Sequence, residues 1–161
     1  MPKKIVFTLL SLLALVNCTP EQEINAFVKG SFSEIQQQHQ GKPYLILFWS
    51  EECAYCTKEL ALLGKVVEKN KDVTLITVAT DPFLAEKTVR QKLASYDLQN
   101  AEAWVFSDSV PEKLYFDVDQ RWRGELPLTY LFDAHNNKTK KVGILKENEL
   151  TVWLQNTSSP D

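Results

Sequence analysis

The sequence predicts an α/β fold, with a central mixed sheet of about five strands flanked by helices. Two observations predict it. Short apolar runs of strand length alternate with stretches of helical periodicity through most of the chain. Such alternation builds parallel strand pairs joined by crossover helices. Near the end, two further strand-like runs are separated only by a turn-rich segment, which adds an antiparallel hairpin at the sheet edge.

Each element follows in order. Thr19 to about Lys29 is short and polar, a tether and lead-in. Phe32, Ile35 and Gln36 begin a helical pattern, with Ser31 and Ser33 as cap candidates. Gly41-Lys42-Pro43 breaks the chain. Tyr44 to Trp49 is continuously apolar, as suits a strand covered on both faces. Cys56, Leu60, Leu63 and Val67 then make one apolar helix face. Val73 to Ala79 reads as a β-branched strand. Asp81-Pro82 opens a second helix reaching about Tyr96. Ala103 to Phe106 is a third strand. Asp108 to Asp119 is a small helix or ordered loop with Pro111 near its start. Leu128 to Phe132 is a fourth strand and Lys140 to Leu145 a fifth, joined through the turn residues Asp133 to Asn137. Leu150, Trp153 and Leu154 mark a last helix, with Trp153 in the core.

The 161 residues suit one domain, and 44% hydrophobic content suffices for a core without disulfide support. A net charge of −3 gives no global field favouring nucleic acid or an anionic membrane. The three cysteines need a reason for the odd one. Lys3 and Lys4 precede an apolar run, Ile5 to Val16, that is too short to span a bilayer and has the form of a secretory signal. The ending Leu15-Val16-Asn17-Cys18 resembles a bacterial lipoprotein signal, although Asn17 stands where small residues are preferred. The resemblance implies that Cys18 is lipidated and becomes the first residue. The alternatives are an ordinary cleaved signal or an uncleaved anchor. Thr19 after Cys18 lacks the usual inner-membrane retention signal of Gram-negative bacteria. Export would place the other cysteines where disulfides persist. The chain thus divides into a signal peptide (1–17), a tether and lead-in (18–30), a domain (31–156) and a tail (157–161).

Cys53 and Cys56 stand two residues apart where a buried strand hands over to a helix. Taken alone, the pair fits a redox couple, half of a zinc site or an inert staple. Free N–H groups and the dipole at a helix start stabilise a thiolate. This makes Cys53 the candidate nucleophile and Cys56 the resolving thiol. Zinc needs two more ligands, for which only His39, His135 and Cys18 are candidates. A two-residue loop constrains the unfolded chain little and makes a poor staple.

Gly41 to Trp49, followed by a four-residue step to Cys53-Ala54-Tyr55-Cys56, resembles the exported bacterial thiol–disulfide oxidoreductases of the TlpA/ResA type. The resemblance covers roughly residues 41–154. It implies a thioredoxin-like three-layer sandwich with the TlpA-type helix–strand insertion. Room for the insertion exists, because Cys56 and Pro127 are 71 positions apart. It implies that Leu126-Pro127 begins a strand with a cis peptide beside the cysteines, and that Pro127 shapes a groove holding an extended substrate. Glu59, three residues after Cys56, matches the family's glutamate, which would tune the pair or shuttle the Cys56 proton. The other reading is a solvated helix glutamate. Trp49, Leu126 and Pro127 are the substrate-binding candidates, Trp49 as core or rim of the cysteine site.

The sequence also departs from the pattern. Glu52 replaces an aromatic residue, Tyr55 replaces a common proline, and Leu47 stands where thioredoxin has a buried acid. Glu51 and Glu52 oppose the thiolate at Cys53, and the dipeptide lacks the histidine of strongly oxidising relatives. Together these favour a reductant or modest redox carrier over a strong oxidase. Arg121-Trp122-Arg123 could dock a partner, but a solvated loop with Trp122 as buried anchor is preferred. His135 receives no catalytic role.

The expected function is exchange of a Cys53–Cys56 disulfide with protein partners at the cell envelope. Electrons would come from another exported or membrane redox protein, and no cofactor or metal is required. The alternative is a thioredoxin-fold copper chaperone using Cys53, Cys56 and His135, or a binding module with a static disulfide. A peroxidase is disfavoured, because the Pro/Thr-containing loop before its cysteine is absent.

Overall fold

The computed structural model describes residues 21–157. The expected signal peptide, the lipidation site Cys18 and tail residues 158–161 lie outside them. The elements are β1 (Ile24–Phe27), α1 (Ser31–Gln38), β2 (Tyr44–Trp49), α2 (Ala54–Lys69), β3 (Thr74–Ala79), α3 (Glu86–Ala94), β4 (Glu102–Phe106), α4 (Pro111–Val118), β5 (Leu128–Phe132), β6 (Lys138–Val142) and α5 (Glu147–Thr157). They form one mixed sheet in the order β1-β4-β3-β2-β5-β6. The pairs β1–β4, β4–β3 and β3–β2 are parallel, whereas β2–β5 and β5–β6 are antiparallel.

The run Tyr44 to Trp49 is apolar throughout because β2 is covered on both faces. Alternate side chains of a strand point to opposite faces. Leu45, Leu47 and Trp49 enter the core under α2, α3 and α5 with Leu60, Leu63, Val89 and Leu150. Tyr44, Ile46 and Phe48 enter the core under α1 and α4 with Phe32, Ile35, Leu114 and Trp122. The result is three layers, helices over sheet over helices.

The sheet has six strands rather than about five. The additional strand is β1, within the stretch read as tether and lead-in. It has four residues, of which only Phe27 is fully buried, and it pairs with β4 alone. The expected insertion is α3 with β4, which places β4 in the sheet between β3 and β1.

Three local expectations change. Gly30, not a serine side chain, caps α1, in a left-handed conformation at φ 93°. Helix α3 starts at Glu86 rather than at Asp81-Pro82, because Asp81 turns back toward β2 and Phe83 takes φ 57°. Strand β6 lies earlier than expected and ends where Gly143, at φ 83°, turns the chain.

Candidate active site

The site forms where β2 ends. Cys53 is the N-cap residue of α2, with extended backbone, and its sulfur accepts from the Cys56 N–H at 3.1 Å. The two cysteines are joined in a disulfide, with their Cα atoms 5.2 Å apart. They differ in access. Cys53 is partly exposed, whereas Cys56 is fully buried against the core of α2, α3 and α5. Glu51, Glu52, Ala54 and Tyr55 are all exposed around them, and Lys58 Nζ lies 5.8 Å from the centre of the Tyr55 ring.

Pro127 reaches the pair through sheet register. Antiparallel pairing sets Leu128 opposite Phe48 and Phe132 opposite Tyr44, so the residue before β5 lies at the Trp49 end of β2. The Leu126–Pro127 peptide is cis, and the Pro127 carbonyl accepts from the Gly143 N–H at 2.8 Å. Pro127 is buried and Leu126 partly exposed. Trp49 is fully buried, so it belongs to the core of the site and presents no side-chain surface to a substrate.

Glu59 is also fully buried, one helical turn beyond Cys56, and is not a solvated helix residue. Its Oε1 accepts from the Thr129 hydroxyl and its Oε2 from the Leu145 N–H, both at 3.0 Å. Burial pushes its pKa up, against the opposing pull of those two bonds and of Lys141. Thr129 pairs with Leu47 across the sheet, so the acid reaches the strand interior from α2 rather than from β2.

The histidines stand at the other end of the sheet. The His39 ring lies 5.4 Å from that of Tyr44, at the start of β2, and its Nε2 meets Glu102 Oε2 at 2.8 Å. His135 follows β5 beyond Phe132, which pairs with Tyr44. A six-residue strand is roughly 17 Å long, so neither histidine can share an ion with Cys53 and Cys56. The copper-chaperone ligand set Cys53, Cys56 and His135 is corrected on that ground. Trp122 is buried, as expected of an anchor. It packs 4.7 Å from Tyr115 and 5.0 Å from Phe48 between ring centres, and its Nε1 donates to the Glu125 carbonyl at 3.0 Å.

Sequence reasoning missed the groups that hold the turn before Cys53. Asp81 accepts from the Ser50 hydroxyl and from the Glu51 N–H, each at 2.8 Å. The sequence carries no mark of them, because only the β2–β3 register, Trp49 with Ala79, sets residues 50 and 51 beside residues 80 and 81. Thr129 and the Leu145 N–H were likewise missed as partners of Glu59.

The AhpC/TSA family matches residues 17–158 of the sequence. No curated protein sequence matches the chain. Among solved structures, Mycobacterium tuberculosis DsbF is similar at a TM-score of 0.60 and 20% identity, over 76% of this chain and 85% of that one. A secreted disulfide oxidoreductase of the same organism, homologous to E. coli DsbE, is similar at 0.60 and 21%, over 74% and 85%. A SCO1/SenC family lipoprotein of Bacillus anthracis is similar at 0.57 and 16%, over 77% and 86%. At these identities the likeness is one of fold.

Proposed function

The chain belongs to the AhpC/TSA family, and we propose that it is a thioredoxin-fold thiol–disulfide oxidoreductase that exchanges the Cys53–Cys56 disulfide with protein partners outside the cytosol. One observation carries the reading. A partly exposed Cys53 at a helix start is bonded to a fully buried Cys56, beside the cis Leu126–Pro127 peptide.

The chemistry follows from that asymmetry. In the reductive direction, the Cys53 thiolate attacks a partner disulfide and forms a mixed disulfide, releasing one partner thiolate. The Cys56 thiol then loses its proton, attacks Cys53 and releases the second partner thiolate. Counted from the dithiol, two electrons pass to the partner, and its two thiolates take up two protons to replace those lost by Cys53 and Cys56. The free N–H groups at the start of α2 stabilise the Cys53 thiolate. Glu59 is the acid nearest along α2 for the Cys56 proton, and its raised pKa suits a proton carrier. Pro127 and Leu126 shape the groove where an extended partner segment lies.

Exposed Glu51 and Glu52 beside Cys53 disfavour its thiolate, so the pair acts as a reductant rather than a strong oxidase. A lipid on Cys18 would hold the domain at a bacterial membrane, facing the periplasm or its equivalent. Among the described residues, no helix is long and apolar enough to cross a membrane. Electrons would be supplied by another exported or membrane redox protein.

The test is a covalent trap in the native compartment. Cys56→Ser should accumulate disulfide-linked partners through Cys53, and a further Cys53→Ser change should abolish them. Absence of adducts, together with a wild-type disulfide that resists dithiothreitol, would overturn the reading. Rapid consumption of peroxide without protein adducts would reassign the cysteine to peroxide chemistry.

A further inference from the structure

The turn that carries Cys53 is held from the neighbouring strand end. The Thr80 N–H and hydroxyl both donate to the Trp49 carbonyl, at 2.8 and 3.2 Å. Asp81 Oδ1 accepts from the Ser50 hydroxyl, and Oδ2 from the Glu51 N–H, each at 2.8 Å. Lys92 Nζ donates to the Glu51 carbonyl at 3.2 Å. Within the turn, the Cys53 N–H donates to the Ser50 carbonyl at 3.3 Å. Asp81 therefore grips both residues that set the path into Cys53. The backbone after Asp81 is shaped for this, since Phe83 sits at φ 57° and α3 is delayed to Glu86.

We propose that Asp81 is a positioning residue for the cysteine couple: it holds the Ser50–Cys53 turn in the geometry from which Cys53 and Cys56 close into a disulfide. The proposal rests on the oxidoreductase reading. Its logic is a difference between redox states. In the disulfide, the covalent bond already restrains Cys53. In the dithiol that restraint is gone, and the two bonds to Asp81 remain. Removing them frees the dithiol more than the disulfide, so the effective concentration of one thiol at the other falls. A carboxylate could also act by repelling the Cys53 thiolate. Ser50→Ala separates the two routes, because it removes one bond and leaves the charge.

The experiment equilibrates the protein with glutathione. Protein dithiol and one glutathione disulfide give protein disulfide and two glutathione thiols, so two electrons and two protons pass to glutathione. The equilibrium constant should fall about fivefold to tenfold in Asp81→Ala and about two- to threefold in Ser50→Ala, in keeping with hydrogen bonds of modest net strength. Asp81→Asn, which keeps one acceptor, should fall between wild type and Asp81→Ala. Ser50→Ala alone carries the test where Asp81→Ala does not fold. A lower melting temperature with an unchanged constant would make Asp81 merely structural and overturn the proposal. So would equal shifts in Asp81→Asn and Asp81→Ala with none in Ser50→Ala, which would assign the effect to charge. A wild-type protein that never equilibrates with glutathione removes the oxidoreductase reading itself, and this proposal with it.

Discussion

Glu59 and Leu145 lie 86 residues apart and meet inside the protein, where the Leu145 N–H donates to Glu59 Oε2 at 3.0 Å. The same carboxyl takes the Thr129 hydroxyl on Oε1, so one buried acid ties α2, β5 and the segment before α5. Burial raises its pKa, and the folded chain holds the Glu59 proton more tightly than the unfolded chain does. Its stabilising contribution is therefore complete below about pH 4.3, the ordinary glutamate value, and is lost as pH rises through the raised folded value. Glu59→Gln can keep both partners by donating to Thr129 and accepting from Leu145, and it carries no proton to lose. Urea unfolding at pH 4, 6 and 8 should show the wild type losing stability relative to Glu59→Gln as pH rises. A slope of opposite sign would make Glu59 a stabilised anion. Glu59→Leu strands both donors and should cost about 1–3 kcal/mol for each.

The unequal access of the two cysteines predicts unequal chemistry after reduction. Cys53 is partly exposed at the helix start, and Cys56 is fully buried. A thiol at the ordinary pKa is ~3% ionised at pH 7, and one lowered to about 7 is half ionised, a ratio of roughly fifteen before access is considered. Iodoacetamide at pH 7, read by peptide mass spectrometry, should label Cys53 at least about tenfold faster than Cys56. Equal rates would remove the assignment of Cys53 as nucleophile.

How far the sequence disclosed this arrangement depended on how much apolar surface each segment buries. Tyr44 to Trp49 was legible because a strand buried on both faces must be apolar at every position. The Cys53–Cys56 pair was legible from its spacing, and the cis Leu126–Pro127 peptide only through the family resemblance. Strand β1 was not, since it buries one residue fully and sits at the sheet edge. Strand β6 is Lys138-Thr139-Lys140-Lys141-Val142, an exposed edge whose charges hide its pairing from any hydrophobic pattern. Asp81 was read as a helix opener because its partners, Ser50 and Glu51, lie 31 and 30 residues earlier. Only the parallel register of β2 and β3 brings them together.

Trp122 should behave as an anchor rather than a docking residue. Its ring is buried against Phe48 and Tyr115, and its N–H holds the Glu125 carbonyl two residues before Pro127. Trp122→Ala should cost about 3–5 kcal/mol in urea unfolding, the range for deleting a large buried aromatic ring. Trp122→Phe keeps much of the packing and loses the donor, at about 1 kcal/mol. In the Cys56→Ser background, Trp122→Phe should leave the set of trapped partners unchanged. A changed set with unaltered stability would return this residue to the docking surface.

Far from the cysteines, Glu102 joins two elements that otherwise meet only through the core. Its Oε2 pairs with His39 Nε2 at 2.8 Å, and its Oε1 accepts from Trp104 Nε1 at 2.7 Å. Burial alone would raise the Glu102 pKa, but the bonds from His39 and Trp104 and the charge of His39 outweigh it, and the pKa is lowered. For a lowered carboxyl the sign is the reverse of that at Glu59. Its contribution is present above about pH 4.3, the ordinary glutamate value, and disappears as pH falls through the lower folded value. Acid unfolding, followed by tryptophan fluorescence between pH 6 and 2, should therefore show a shallower loss in Glu102→Gln than in wild type. The Gln variant should also start less stable at pH 6, because it replaces a charged acceptor facing His39 with a neutral one. If the two acid limbs superimpose, the His39–Glu102 pair contributes nothing to the pH dependence, and the link between α1 and β4 rests on apolar packing alone.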